Sequence, residues 1–225
     1  MFKSVLNIFF PKVCYACLGL LGDHEDSICV DCRHDLPVTN FHFDGNDAIQ
    51  KVLYGRCKIE NGTALFRFEK KSLVQQLIHG LKYKGYQNIG FVLGNWLGAE
   101  LQQVEAYREI DVIIPVPLHK KKLRSRGFNQ VEKFGQQIAE ALKADYLNDV
   151  LIKISNTKSQ TKKGRIARWV NSDELFALKN METIENKHIL IVDDLITTGA
   201  TLEACILVLN QAKNIKISIA TMAIA

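Results

Sequence analysis

The sequence predicts an α/β fold, a parallel sheet flanked by helices and preceded by a small four-cysteine module. Three observations lead there. Residues 189–192 and 112–114 are unbroken aliphatic runs, the pattern of strands covered on both faces. Such runs alternate with segments of helical periodicity, and strand–helix alternation favours parallel pairing. Two Cys-x-x-Cys pairs sit together near the N-terminus, at Cys14 and Cys17 and at Cys29 and Cys32.

Length and composition bound the rest. A chain of 225 residues buries one ordinary core and carries a small appendage. With 47% hydrophobic and 24% charged residues, a wholly disordered chain is excluded. The net charge of +5 is modest, so the clustering of basic residues says more about partners than their sum. No segment approaches the ~20 apolar residues of a membrane-spanning helix, so no stable membrane insertion is expected. Residues 1–10 are short and lack a small-residue cleavage site before Pro11; the expected location is the cytoplasm. Phe2, Leu6, Phe9 and Phe10 are expected to pack on the cysteine module, a transient membrane contact being the alternative. The anticipated organisation is a metal module over 1–36, a connector or hood over 37–70, and the main domain over 71–225.

Each Cys-x-x-Cys forms a knuckle that aims two thiolates at one point, and two knuckles complete a tetrahedral site. Zinc is the expected ion. With four cysteines no coordination position is left open, so its role is structural. An iron centre and two disulfides are the alternatives that the spacing leaves. The segment between the knuckles is too short for its own core, so metal binding supplies its folding energy. Cys205 lies on the apolar face of the last helix and reads as core, whereas Cys57 has no assignment.

Along the body, residues 37–59 are irregular and 64–68 form a strand. Residues 71–82 place Leu73, Leu77, Ile78 and Leu81 on one helical face, ending near Gly85. A second helix over 89–104 turns Phe91, Val92, Trp96, Leu97 and Leu101 inward. A strand over 111–117 is stopped by proline. A helix follows over 130–142, then a short strand over 151–154. Residues 215–224 close the sheet.

The chemistry concentrates after the run 189–192. Asp193 and Asp194 end that strand. Thr197, Thr198, Gly199, Ala200 and Thr201 then form a polar turn opening a helix through Leu202, Cys205, Ile206 and Leu209. Unpaired backbone N–H groups and the positive end of the helix favour a phosphate. Threonine hydroxyls add donors, and Gly199 lets the backbone come close. The carboxylates then stand where they accept hydrogen bonds from ribose hydroxyls. The whole string describes a sugar-phosphate site; its plainer reading is a strand-to-helix turn capped by Asp and Thr.

Two basic segments accompany it. Lys120, Lys121, Lys122, Arg124 and Arg126 follow the strand ending at Pro117, where loops at carboxyl strand ends build the ligand crevice. This loop suits pyrophosphate or a nucleic-acid backbone, or is a solvated surface. Lys162, Lys163, Arg165 and Arg168 occupy a second polar loop, whose plainer reading is also a surface loop.

The string from Ile189 to Thr201 resembles the phosphoribosyl-pyrophosphate (PRPP) signature of type I phosphoribosyltransferases. That resemblance implies a type I phosphoribosyltransferase-like sheet. Asp193 and Asp194 would serve the ribose hydroxyls, and Thr197 to Thr201 the 5′-phosphate, with Mg²⁺ accompanying PRPP. It also implies that the loop bearing Lys163 and Arg165 closes over the site, and that a hood, here the N-terminal module and residues 40–70, reads the acceptor. The chain further resembles the ComF family, on Phe10-Pro11 before the knuckles, the helix end Leu81 to Gly85, Pro115-Val-Pro117, and Arg126 to Gln130. That resemblance runs from about Phe9 to Ala225. It implies a role in natural transformation, handling single-stranded DNA with a DNA-translocating ATPase and recombination mediators. Two functions are open at this point. One is an enzyme transferring a phosphoribosyl group to an unknown acceptor. The other is a non-catalytic PRPP-, nucleotide- or DNA-binding adaptor.

Overall fold

The computed structural model describes residues 11–154 and 175–225. Five parallel strands form the central sheet: β1 (Gly62–Arg67), β2 (Val112–Pro115), β3 (Asp145–Tyr146), β6 (His188–Ile196) and β7 (Lys216–Ile224), in the order β1-β7-β6-β2-β3. Strand β6 is buried along almost its whole length, as its continuous apolar run requires. Its alternate residues feed opposite layers. Leu190 and Val192 join the cluster of Phe134 and Ile138, while Ile189 and Ile191 join that of Leu202 and Ile206.

One sequence expectation about the sheet is corrected and another is met outside it. Strand β7 does not close it; it lies between β1 and β6, and is buried from its second residue to its last. The segment 151–154 is a strand, β4 (Leu151–Ile154), but it pairs antiparallel with β5 (Leu175–Leu178) outside the main sheet. Strand β3, only two residues long, takes the edge beside β2 instead.

The irregular stretch 37–59 contains two short helices, α2 (Phe41–Asp44) and α3 (Ala48–Leu53), after α1 (Val30–Asp35) of the cysteine module. Helix α4 (Leu73–Tyr83) is capped by Ser72, whose hydroxyl accepts from the Gln75 N–H at 3.3 Å. It buries Val74, Leu77, Ile78 and Leu81, close to the expected face. Helix α5 (Asn88–Leu101) buries Leu97 and Leu101 and packs Val92 and Trp96 against the core as expected, but departs at Phe91. It also buries Ile89 and Leu93, whereas Phe91 is exposed. The reason is a glycine stripe at Gly90, Gly94 and Gly98, spaced by four on one face. A Cβ on Gly94 would stand 2.6 Å from the Phe134 carbonyl oxygen. The stripe lets α5 seat directly on α8 (Glu132–Leu142), and the larger side chains turn away from that contact. The short α6 (Glu105–Arg108) leads into β2.

The cysteine module is docked rather than tethered. Tyr15 stacks on Tyr86 with ring centroids 4.7 Å apart. The Arg33 guanidinium lies 4.8 Å over the Trp96 ring, which packs edge-on against Phe66. Cys14, Ala16, Ile28, Cys32 and Leu36 therefore belong to the same buried cluster as Phe66 and Leu97.

Candidate functional site

Strand order fixes where a ligand crevice opens. From β2 the chain crosses through α8 to β3 on one side, and from β6 through α9 (Ala200–Leu209) to β7 on the other. The carboxyl ends of β2 and β6 therefore flank a topological switch point, the usual ligand position in an open α/β sheet. Val116 N–H donates to the Val192 carbonyl at 2.9 Å, which holds the exit of β2 beside the acidic pair.

Asp193 and Asp194 are both buried there. Asp193 Oδ1 accepts from the Asp194 backbone N–H at 2.8 Å, which orients the first carboxylate. Asp194 Oδ1 is 2.7 Å from Lys82 Nζ, at the end of α4. Its other oxygen, Oδ2, is buried and has no hydrogen-bond partner among the described residues. Such an acceptor costs about 1–3 kcal/mol until a donor reaches it, so this oxygen suits a ligand hydroxyl. Two hard carboxylates also fit a site for magnesium held together with phosphate oxygens.

The turn behind the pair is built as expected, with exposed Thr197 and Thr198, then Gly199 at φ +74° as the N-cap of α9. Ala200 is exposed and Thr201 half-buried at the helix start. The glycine has a second reason. A Cβ there would lie 2.8 Å from Leu53 Cδ2 and 3.0 Å from Val52 Cγ1, so α3 packs directly beneath the turn. Arg56, just past α3, locks the arrangement. Its Nη2 donates to the Thr198 carbonyl at 2.7 Å, and its Nη1 meets Glu203 Oε2 at 2.7 Å. Residues 48–56, expected within a hood, thus brace the turn of residues 197–201.

The first basic segment is not a loop. It forms helix α7 (Lys120–Arg126), begun by His119, whose Nδ1 accepts from the Lys121 N–H at 3.2 Å, and ended by Gly127 at φ +82°. Helical geometry splits its charges between two faces. Lys122, Ser125 and Arg126 line a cleft of about 350 Å³ with Lys82, Tyr83 and Phe128. Lys120, Lys121 and Arg124 line another, of about 440 Å³, with Lys153 and Lys179. Only the first face shares Lys82 with the acidic pair. Lys120 and Arg124, expected beside the phosphate, face β4 and its partner strand instead. Arg126 is fixed by donating to Gln130 Oε1, and Asn129 Nδ2 donates to the Val116 carbonyl at 3.0 Å. Lys163 and Arg165 lie outside the described residues.

Sequence reading missed Lys82, Tyr83 and Arg56. The end of α4 was quoted only as a point of resemblance. Its pattern of an aromatic between two lysines at a helix terminus was the available signal. Apart from the Val52 carbonyl one helical turn back, the side-chain partners of Arg56 are 142 and 147 residues away, so no local pattern marks it.

At the other end of the molecule, the Sγ atoms of Cys14, Cys17, Cys29 and Cys32 all lie within 4.8 Å of one another. Cys17 Sγ and Cys29 Sγ are 3.9 Å apart, close to the roughly 3.8 Å edge of a tetrahedron with ~2.3 Å metal–sulfur bonds. Backbone N–H groups of Gly19, Cys29 and Cys32 donate to Cys17, Cys14 and Cys29 sulfur at 3.3–3.4 Å, the knuckle pattern that favours thiolate. None of the four forms a disulfide, and the cluster has the geometry to hold a metal ion. Burial pushes the Cys14 thiol up, but N–H groups of Cys17, Cys29 and Ala16 outweigh it and bring its pKa to about 7. Burial and the neighbouring thiols drive Cys32 well above the usual thiol range. Cys205 is core, and Cys57 lies half-buried with its thiol 4.0 Å from the Glu203 carbonyl, its pKa raised mainly by burial.

Residues 132–223 match the phosphoribosyl transferase domain family. Over 211 residues the chain is 25% identical to competence protein F of Haemophilus influenzae, covering 86% of this chain and 89% of that one. It is 27% identical to competence protein ComFC of Bacillus subtilis, covering 91% and 81%. Among solved structures, the B. subtilis glutamine PRPP amidotransferase complexed with ADP and GMP aligns with 63% of this chain and 30% of that one. The identity is 19% and the TM-score 0.42. Among the described residues no helix is long and apolar enough to cross a membrane.

Proposed function

Since the chain belongs to the ComF family of competence proteins with a phosphoribosyltransferase-like domain, we propose that it binds PRPP with magnesium and acts in the cytoplasm on single-stranded DNA during natural transformation. The observation that carries the ligand assignment is the buried acidic pair. Asp194 Oδ2 has no partner among the described residues, and the pair runs directly into a glycine-capped turn at a helix N-terminus. Asp193 and Asp194 accept from the ribose hydroxyls, and the N–H groups and hydroxyls of Thr197 to Thr201 take the 5′-phosphate. Asp193 and Asp194 would hold magnesium together with phosphate oxygens, and the ion would supply positive charge against the pyrophosphate.

If transfer occurs, positive charge develops on the ribose ring as the pyrophosphate bond loosens. Two carboxylates in a buried setting stabilise that charge far more than they would in water. Lys82, beside the acidic pair, neutralises the departing pyrophosphate. No residue acts as a nucleophile in this scheme. Zinc in the four-cysteine cluster is structural, and holds the module against α5.

A second reading, a binding adaptor without turnover, is favoured by the outer basic cleft. Lys120, Lys121, Arg124, Lys153 and Lys179 concentrate charge away from the acidic pair, as contacts to a phosphate backbone require. Calorimetric titration of PRPP with Mg²⁺ tests the shared premise. Wild type should bind, and the Asp193→Asn/Asp194→Asn variant should lose binding while keeping its zinc. Retained binding in that variant contradicts the assignment.

A further inference from the structure

The cleft between the end of α4 and the inner face of α7 has a chemistry that the sugar-phosphate site does not use. Tyr83 is 70% exposed, although its ring is large and apolar. The ring is held from two sides, by His79 with centroids 4.8 Å apart and by the Arg126 guanidinium at 5.7 Å. Phe128 adds a second, half-buried aromatic to the lining, and Lys82 and Lys122 complete it. The guanidinium contact lies near the ~6 Å outer limit of a cation–π interaction, so it is readily exchanged. An accessible ring beside two cations, Lys122 and Arg126, that pair with no carboxylate among the described lining residues matches one ligand type, a planar π-system joined to phosphate.

We infer that this cleft is the subsite for a nucleotide of single-stranded nucleic acid. One base stacks on Tyr83, and its phosphate lies on Lys122 and Arg126. The inference rests on the PRPP reading and supplies what it lacks, the class of acceptor or guide. Lys82 joins the two sites, because its ammonium lines this cleft while pairing with Asp194 at 2.7 Å. A base held here is therefore next to the ribose carboxylates, not over residues 40–70. Single-stranded nucleic acid is required, since in a duplex the base faces are already stacked and the Tyr83 ring has nothing to receive. The neighbouring phosphates pass over α7 to the second cleft. Among the described residues that cleft is lined by Lys121 and Arg124 and by no Phe, Tyr or Trp ring, and suits a backbone alone.

The test compares a short single-stranded oligothymidylate with an abasic oligonucleotide of equal length, by fluorescence anisotropy on the full chain. Wild type should prefer the base-bearing strand. Tyr83→Ala should erase that preference, weakening oligothymidylate by roughly 5- to 150-fold, the range for one lost base stack, while Tyr83→Phe retains it. Lys121→Ala/Arg124→Ala should weaken both strands alike and reduce the salt slope by about one per charge removed. PRPP titration of Tyr83→Ala separates the two claims. Unchanged PRPP binding with lost base preference supports the subsite. Equal binding of both strands by wild type, or an unchanged preference in Tyr83→Ala, overturns it whatever PRPP does. A loss of PRPP binding in the acidic double variant is the separate test of the underlying reading.

Discussion

Lys82 Nζ and Asp194 Oδ1 are 2.7 Å apart, and both side chains are mostly buried, at 22% and 6% exposure. The lysine comes from the end of α4 and the carboxylate from the end of β6, so the pair closes the crevice across two elements. Breaking it leaves Asp194 buried with both oxygens uncompensated. Such a break in a fully buried pair costs about 3–5 kcal/mol. Lys82 retains some solvent, so Lys82→Met should cost about 2 kcal/mol, or about 4–8 °C in thermal midpoint. Lys82→Met/Asp194→Asn should recover most of that loss, because the stranded charge is gone. A double-mutant cycle by thermal denaturation checks it; additive losses would show that the pair is not coupled.

Gly199 carries two constraints at once, a φ of +74° and the underside of the turn against Val52 and Leu53. Gly199→Ala meets the left-handed conformation at a cost of about 1 kcal/mol and the α3 side chains on top of it. The turn must shift, and with it the N–H groups proposed for the phosphate. PRPP affinity should fall by at least tenfold, with a stability loss of about 1–3 kcal/mol. Calorimetry and thermal denaturation on the same sample distinguish a displaced turn from a globally unfolded one. Arg56→Ala should weaken PRPP in the same direction and by less, since it removes the clamp on the Thr198 carbonyl and leaves the turn's backbone intact.

The strand, acidic pair, glycine turn and helix were legible because they are contiguous and each obeys a local rule. The cysteine cluster was legible for the same reason. What escaped depends on contacts distant in sequence. The position of β7 between β1 and β6 is a pairing choice that no local pattern encodes. Of the residues assigned to the inward face of α5, Phe91 lies outside it, because Gly90, Gly94 and Gly98 form the closest contact. Close approach of α8 made the small residues the contact. The basic run was read as a loop because its charge was weighed before its periodicity. The spacing of Lys121 and Arg124, and of Lys122 and Arg126, already matched two faces of a short helix.

Metal uptake by the four-cysteine cluster should be strongly pH-dependent. Cys14, with a pKa of about 7, is ready to bind near neutrality, but Cys32 is pushed up by burial and gives up its proton only to an ion. Each proton displaced lowers apparent zinc affinity about tenfold per unit fall in pH. Competition with a chromophoric chelator between pH 6 and 8 measures the slope; a flat profile would argue against thiolate ligation. Because Ile28, Cys32 and Leu36 share a core with Phe66, stripping the metal should also lower the thermal midpoint of the main fold, not only unravel the module.

His188 provides a pH effect of opposite location, at the start of β6 rather than its ligand end. Its Nε2 pairs with Ser218 Oγ at 2.9 Å, and its Nδ1 is buried without a partner. Burial first, and Lys216 second, hold its pKa below the ordinary histidine value, against weaker opposing effects of Glu60, Asp111 and Glu109. Above about pH 6.5 the ring is neutral in both the folded and unfolded chain, and the stability contribution is complete. As pH falls below that value the unfolded chain takes up a proton that the folded one refuses, so stability declines until the folded pKa is reached. His188→Gln removes this titration. Thermal midpoints of the two proteins should therefore converge between pH 7 and pH 5, while acid effects on the cysteine cluster act on both and cancel in the comparison. A constant difference across that range would mean that His188 takes its proton as readily in the folded chain as in the unfolded one.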